Sequence, residues 1–368
     1  MKCEIQFEKL KQAVSLVERV AGRHLTLPVL SCIVFEVKKN SVVFRATNLD
    51  VGVEVSIPAK TGEVGIVAVP AHTLSAFLSN AYGKEQIVSL ETVSGNLQVS
   101  LSHSKGVIKT VPAEDFPAIP AVVGEVAIQL PTEALLKGFR AVWYSAAVSS
   151  VKPELSSVYV RQEAEDAIFA ATDSFRLAEK RVRLPKTAKF NDLLIPFKNC
   201  ADLVKVLEAM GPVVTMRAAK NLVSFSTDDI SITSRVIDGV FPDYRQIIPK
   251  GCVTEAVILK QDLANALKTS MVFSDSFNQV HIAIDPKKKA FEVETKNNDV
   301  GENQSRLDAA ITGEAVEINF NSKYLSDCFQ SMEADSLTLQ FNGRNRPLVI
   351  RPVSGDQTFL YLVMPMNR

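Results

Sequence analysis

Apolar residues recur along the chain with two periods. At helical spacing stand Phe7, Leu10, Val14 and Val17, then Leu135, Phe139 and Val142, then Leu263, Leu267 and Met271. Each set marks the buried face of an amphipathic helix. A second group of helices follows directly on short apolar runs. Residues 66–70 lead to Leu74, Phe77, Leu78 and Ala81, residues 193–196 to Leu203, Val206, Leu207 and Met210, and residues 316–320 to Tyr324, Leu325, Cys328 and Met332. Pro70 and Pro196 suit a helix start, where a missing N–H costs nothing, and Pro131-Thr132 opens the helix of Leu135 in the same way. Between these helices, residues 29–37, 97–101, 213–217, 222–226 and 337–341 alternate or run apolar and predict strands.

These elements repeat. Leu10, Leu136 and Leu263 stand about 125 residues apart in equivalent helices. A strand ending in a Thr-containing turn occurs at Thr47-Asn48-Leu49-Asp50, at Thr172-Asp173-Ser174-Phe175 and at Thr295-Lys296-Asn297-Asn298. Phe116-Pro117-Ala118-Ile119 and Phe241-Pro242-Asp243-Tyr244-Arg245 close the first two copies, and Leu362-Val363-Met364-Pro365-Met366 closes the third. The pattern predicts an α+β chain of three domains, 1–121, 128–247 and 248–368, each with two helices and many strands. The connections near 121–127 and 247–254 are short and not strongly polar, so the domains pack closely. A helix appears twice in each copy, so each copy is itself doubled. Repeats that cover one another's edges end in caps or close into a ring.

Composition narrows the class. In 368 residues, 46% are hydrophobic and 22% charged, with 41 basic against 41 acidic side chains. That balance excludes a bulk polycation but allows a basic surface on one side. Cys3, Cys32, Cys200, Cys252 and Cys328 are scattered and odd in number, which argues for a reducing compartment. No signal-like start and no membrane-length apolar run is present, so we expect a cytoplasmic protein with no membrane partner. His24, His72, His103 and His281 have no metal-ligand spacing, and no GxSxG, GxGxxG or GxxxxGK[ST] pattern occurs. Asp228-Asp229 and the stretch 163–166 read as turns between strands. We expect no catalytic residues, no metal and no cofactor.

Thr26-Leu27-Pro28-Val29-Leu30, Ala46-Thr47-Asn48-Leu49-Asp50, Ala171-Thr172-Asp173, Phe241-Pro242-Asp243-Tyr244-Arg245 and Val363-Met364-Pro365-Met366, in this order and on a threefold repeat, resemble the bacterial DNA sliding clamps. The resemblance spans the whole chain. It implies three clamp-fold domains, each with two helices packed on antiparallel sheets, in a head-to-tail dimeric ring of six domains, helices inside and sheets outside, around double-stranded DNA of any sequence. It also implies a processivity role with the replicative polymerase α subunit, a clamp loader, and other polymerases and repair proteins as partners. The rival readings are a triplicated protein-interaction scaffold that does not encircle DNA and an enzyme of nucleic-acid metabolism.

The resemblance also assigns residues. For DNA it implies Arg23, His24, Thr73, Ser149 and Lys198, with moderate positive charge along the helices. For short client peptides it implies a pocket of Lys152, Leu155, Thr172, Ser174, Phe175, Arg176, Leu177, Pro242, Ile247, Phe277, Asn321, Tyr324, Asn345, Pro347, Leu362, Met364, Pro365 and Met366. Apolar and Met side chains suit adaptable capture of Leu or Phe anchors. Two positions depart from the family: Phe175 replaces a common His, and Lys152 a common Arg, which are not equivalent. For the dimer interface it implies Lys105, Val107 and Ile108 against Met271 and Val272. Gly106 stands there where a large apolar residue is common.

Overall fold

Helices form where the apolar spacing places them. In the computed structural model, which describes residues 1–22, 27–81, 86–122, 126–186, 188–355 and 357–366, they are α1 (Phe7–Glu18), α2 (Ala71–Ser79), α3 (Thr132–Val142), α4 (Phe197–Ala209), α5 (Lys260–Ser270) and α6 (Ser322–Asp327). Four of them end earlier than the periodicity predicts, α4 by the single residue Met210. At the end of α2 the Ala76 carbonyl accepts from both the backbone N–H of Asn80, at 3.1 Å, and its side-chain amide, at 2.9 Å. After α5, Met271 falls in the 3₁₀ turn Met271–Phe273, and α6 gives way to the 3₁₀ turn Cys328–Ser331. Residues 29–31 are not strand, because Pro28 opens the 3₁₀ turn Pro28–Ser31 and the strand starts at Cys32. The turn readings at 163–166 and 228–229 hold: strands Ser157–Glu163 and Asp166–Thr172 flank the first, and Leu222–Ser226 and Ile230–Arg235 the second.

The chain forms two compact units, and the boundary runs through the central third. One comprises Met1–Glu133, Thr187–Lys189 and Lys198–Val236, the other Ala134–Lys186, Phe190–Phe197 and Ile237–Arg368. The cause is strand pairing. In the first unit, Val51–Pro58 pairs antiparallel with Ile230–Arg235, so an eight-stranded sheet takes strands from the first and central thirds. A five-stranded sheet, with Lys105–Ile108 on one edge, completes this unit. Helix α1 buries Leu10, Val14 and Val17. Each such side chain contributes roughly 1.5–3 kcal/mol by burial.

In the second unit, Arg176–Arg183 pairs with Phe359–Val363, giving a nine-stranded sheet from the central and last thirds. A four-stranded sheet, with Gly301–Leu307 and Val316–Asn321 as its edges, accompanies it. Gly138 on α3 lets the helix approach closely: a Cβ there would stand 2.3 Å from the Phe169 ring. The Phe139 ring meets Phe169 edge-on at 5.1 Å. Among the described residues, no helix is long and apolar enough to cross a membrane.

Candidate functional site

The turn at Thr172 is built by its own side chains. The Thr172 hydroxyl donates to the Arg176 carbonyl at 2.6 Å and accepts from Ser174 N–H at 3.1 Å. Asp173 Oδ1 accepts from the N–H groups of Phe175 and Arg176, both at 3.0 Å. Ser174 takes φ +77°, a left-handed conformation held by these bonds. The turn at Thr47 repeats this pattern. Thr47 Oγ1 bonds Val51 O and Leu49 N, Asn48 Oδ1 accepts from Asp50 and Val51, and Leu49 has φ +75°. The third copy differs. Its strand runs on through Asn297, and the turn is made there, with Asn297 Oδ1 accepting from Asp299 N–H at 2.9 Å. Thr295 is an interior strand residue, which corrects the reading that placed its turn at Thr295.

Arg176 anchors the Thr172 turn. It is buried, and its guanidinium donates to Asp173 Oδ2 at 3.0 Å, to the Tyr144 carbonyl at 2.7 Å and to Asp327. It also lies 4.6 Å from the centroid of the Tyr324 ring. Such a planar fork serves several acceptors and an aromatic face at once.

The last strand brings the chain's final segment to this turn. Arg176 stands opposite Val363 and Leu177 opposite Leu362. Beyond the strand, Met364 N–H donates to Phe175 O at 2.8 Å and Met366 N–H to Asn319 O at 2.8 Å. Asn321 caps α6 by accepting from Lys323 and Tyr324, and its amide donates to Phe277 O at 3.0 Å. Phe175 and Phe277 are the exposed aromatics here, at 61% and 68%.

Three groups therefore adjoin along one tail. Thr172, Ser174, Phe175, Arg176 and Tyr324 form the polar knot. Leu177 and Leu362 join Ala170, Leu194, Phe241 and Tyr244 in a buried apolar cluster, with Met364 packed on it. Ile247, Asn345, Pro347 and Met364 line a cleft of about 570 Å³, together with Ile248, Pro249, Cys252 and Val253. Pro242 is exposed, between the buried Phe241 and Tyr244. Pro365 lies between the two pinned methionines. Lys152 and Leu155 belong to none of these described groups. They sit in the turn before Ser157–Glu163, where Leu155 N–H bonds the Lys152 carbonyl and Leu155 O accepts from Ala147.

Sequence reasoning missed Tyr144 and Asp327, the partners of Arg176, because neither distance along the chain nor residue type marks them. It also missed Phe241 and Tyr244 as the floor, although their motif was visible. Tyr244 donates to Glu179, and burial followed by that carboxylate pushes its phenol above the ordinary range. This bond fixes the segment carrying Ile247 on the sheet. Tyr159 stacks on Phe241 at 4.8 Å; burial, then Asp192, push its phenol up to about 12.

The remaining expected residues lie elsewhere. Arg23 and His24 fall outside the described residues. Thr73 is exposed in the first turn of α2, and Ser149 in a loop between Val148 and Val151, themselves 82% and 85% exposed. Lys198 at the start of α4 is not a free cation: its ammonium lies 2.6 Å from Asp50. Lys205 pairs with Glu208, and Lys260 donates to the Met332 carbonyl. Exposed ion pairs such as those of Lys198 and Lys205 are worth at most about 1 kcal/mol, so a phosphate can displace the carboxylate. At the expected dimer edge, Val107 is exposed and Ile108 buried; Met271 and Val272 are exposed.

Comparison with known proteins accounts for this arrangement. Residues 1–120 match the N-terminal domain of the DNA polymerase III beta subunit, 129–243 its central domain and 245–367 its C-terminal domain. The beta sliding clamp of Synechococcus elongatus is 27% identical over 376 residues, covering 100% of this chain and 99% of that protein. The beta sliding clamp of Bacillus subtilis is 26% identical over 378 residues, covering 100% of both. The crystal structure of the DNA polymerase III beta subunit from Thermotoga maritima superposes with a TM-score of 0.93 at 25% identity, covering 100% of this chain and 99% of that one. Three clamp domains thus follow one another across the chain, which belongs to the DNA polymerase III beta subunit family, the bacterial sliding clamps.

Proposed function

We propose that two copies of this chain close head to tail into a ring around double-stranded DNA and hold a replicative polymerase on its template. The reading rests above all on one observation: three clamp domains in order, spanning the chain from end to end. Encirclement supplies retention, so contacts with DNA stay weak enough for sliding. The balanced charge suits that role, since a strongly basic lining would bind phosphates tightly and impede movement. Lysines already paired, such as Lys198 with Asp50, present a softened and sequence-blind field. Arg23, His24, Thr73 and Ser149 are the further contacts we assign to DNA.

The cleft and cluster along the tail take short peptides from the polymerase α subunit, a clamp loader, and other polymerases and repair proteins. Burying one Leu or Phe anchor contributes roughly 1.5–3 kcal/mol before ordering costs, which keeps affinity modest and clients exchangeable. Lys152 and Leu155 border this site. The chain performs no catalysis, needs no cofactor and works in the cytoplasm. The domains run 1–121, 128–247 and 248–368 in this reading.

The test is topological. A clamp loader with ATP loads the protein on nicked circular DNA, and gel filtration then measures retention. We expect retention on the circle and release once the DNA is cut to a line. Equal retention on both forms overturns the ring.

A further inference from the structure

We propose that Phe77, on α2, is the apolar anchor through which the free edge at Lys105–Ile108 binds a second copy of this chain, replacing the side chain that Gly106 lacks. The inference rests on the head-to-tail ring proposed above and names the residue that holds it together.

Lys105–Ile108 is the outermost strand of the five-stranded sheet, paired only with Asn96–Ser100 among the described residues. A Cβ on Gly106 would stand 2.8 Å from Cε2 and 3.1 Å from Cζ of Phe77. The ring therefore occupies the space that a side chain at 106 would fill. Side chains two apart on a strand share a face, so Phe77 and the buried Ile108 border the same side of the edge. Phe77 itself is only half-buried, although it is large and apolar. Val107, on the other face, is 61% exposed. A free edge with uncovered apolar residues is a template for another strand.

The chain carries a matching edge. Gly301–Leu307 is the outermost strand of the four-stranded sheet. The adjoining 3₁₀ turn Met271–Phe273 leaves Met271 43% and Val272 66% exposed. The first edge is flanked by Lys105 and Lys109. The second carries Glu302 and, just beyond it, Asp308 against the single cation Arg306, which donates to the Lys288 carbonyl; Glu302 lies 3.9 Å from Lys296, both side chains 75% exposed. Edges of opposite charge, each bordered by uncovered apolar side chains, complement one another in two copies.

Sedimentation equilibrium of the full chain tests this, with circular dichroism melting as the check on folding. We expect the parent to be a dimer. Phe77→Ala raises the dimer dissociation constant at least about tenfold, as loss of an interface aromatic does. Phe77→Leu raises it far less. Gly106→Phe alone also weakens the dimer, because two rings meet in one space, whereas Phe77→Ala with Gly106→Phe returns it close to the parent. A dimer insensitive to Phe77→Ala, or a double variant no tighter than Phe77→Ala, overturns the inference while leaving the ring standing. A parent that stays monomeric at every concentration overturns the ring reading itself.

Discussion

Ile119 lies directly over Gly52: a Cβ at Gly52 would stand 2.6 Å from Cγ2 of Ile119. Gly52 follows the turn at Thr47 by the same interval that Leu177 follows the turn at Thr172. The two turns share their hydrogen bonds, yet Ile119 seals the surface beside the first, and an apolar cluster bordered by an open cleft lies beside the second. Gly52→Ala forces Ile119 aside, and we expect it to cost about 1–3 kcal/mol, the usual range for overpacking. Urea titration checks the loss. Peptide titration of the parent should give one site per chain; two would contradict the sealed first copy.

Met364 and Met366 are pinned through their backbones, so truncating their side chains leaves the tail in place. Met364→Ala with Met366→Ala should weaken client-peptide binding at least about tenfold while the dimer survives. Fluorescence polarisation with a labelled polymerase-derived peptide measures the first, and light scattering the second. Unchanged peptide affinity removes the tail from the site.

Arg176 joins its own turn, the 3₁₀ turn Trp143–Ser145 and α6 through Asp173, Tyr144, Tyr324 and Asp327. Removing it strands two carboxylates. Arg176→Met should lower stability by about 3 kcal/mol, the low end for breaking a buried ion pair. Arg176→Lys should recover little, because an ammonium cannot serve three acceptors in one plane. Denaturant midpoints for both variants decide the point; full recovery by Lys would show that charge alone matters.

Glu163 supplies a pH signature. Its hydrogen bonds from Arg245, then Arg161, hold the carboxyl at about 2, against an ordinary 4.5. A depressed folded value means that the stabilisation is complete above about pH 4.5 and disappears as pH falls through about 2. Glu163→Gln should therefore be less stable than the parent at pH 6, and the gap should narrow steadily as the pH is lowered across that window. The same gap at pH 6 and pH 2.5 would assign the effect to packing.

Much of this was legible in the residues. Helical spacing located all six helices, and Thr47 and Thr172 marked their turns, because side-chain bonds to the nearby backbone are local. Thr295 misled for the same reason. The third turn is decided by Asn297, two residues on, where the strand pairing with Gly301–Leu307 ends. Arg176 was identified, but its bond to Asp327 spans 151 residues and leaves no local trace. Nor does spacing show that Phe77 fills the place of a side chain at Gly106. Long-range pairing decides both, and alternation of apolar residues does not encode which strand a neighbour will be.

The sheets that join neighbouring repeats make this chain indivisible. Excised from its context, the central third would lose one of the two partner strands of both Arg176–Arg183 and Ile230–Arg235. It would then carry two raw seams of unsatisfied amide and carbonyl groups. The three repeats are thus not separable building blocks, and a severed piece should cling to its own kind before it folds into anything useful.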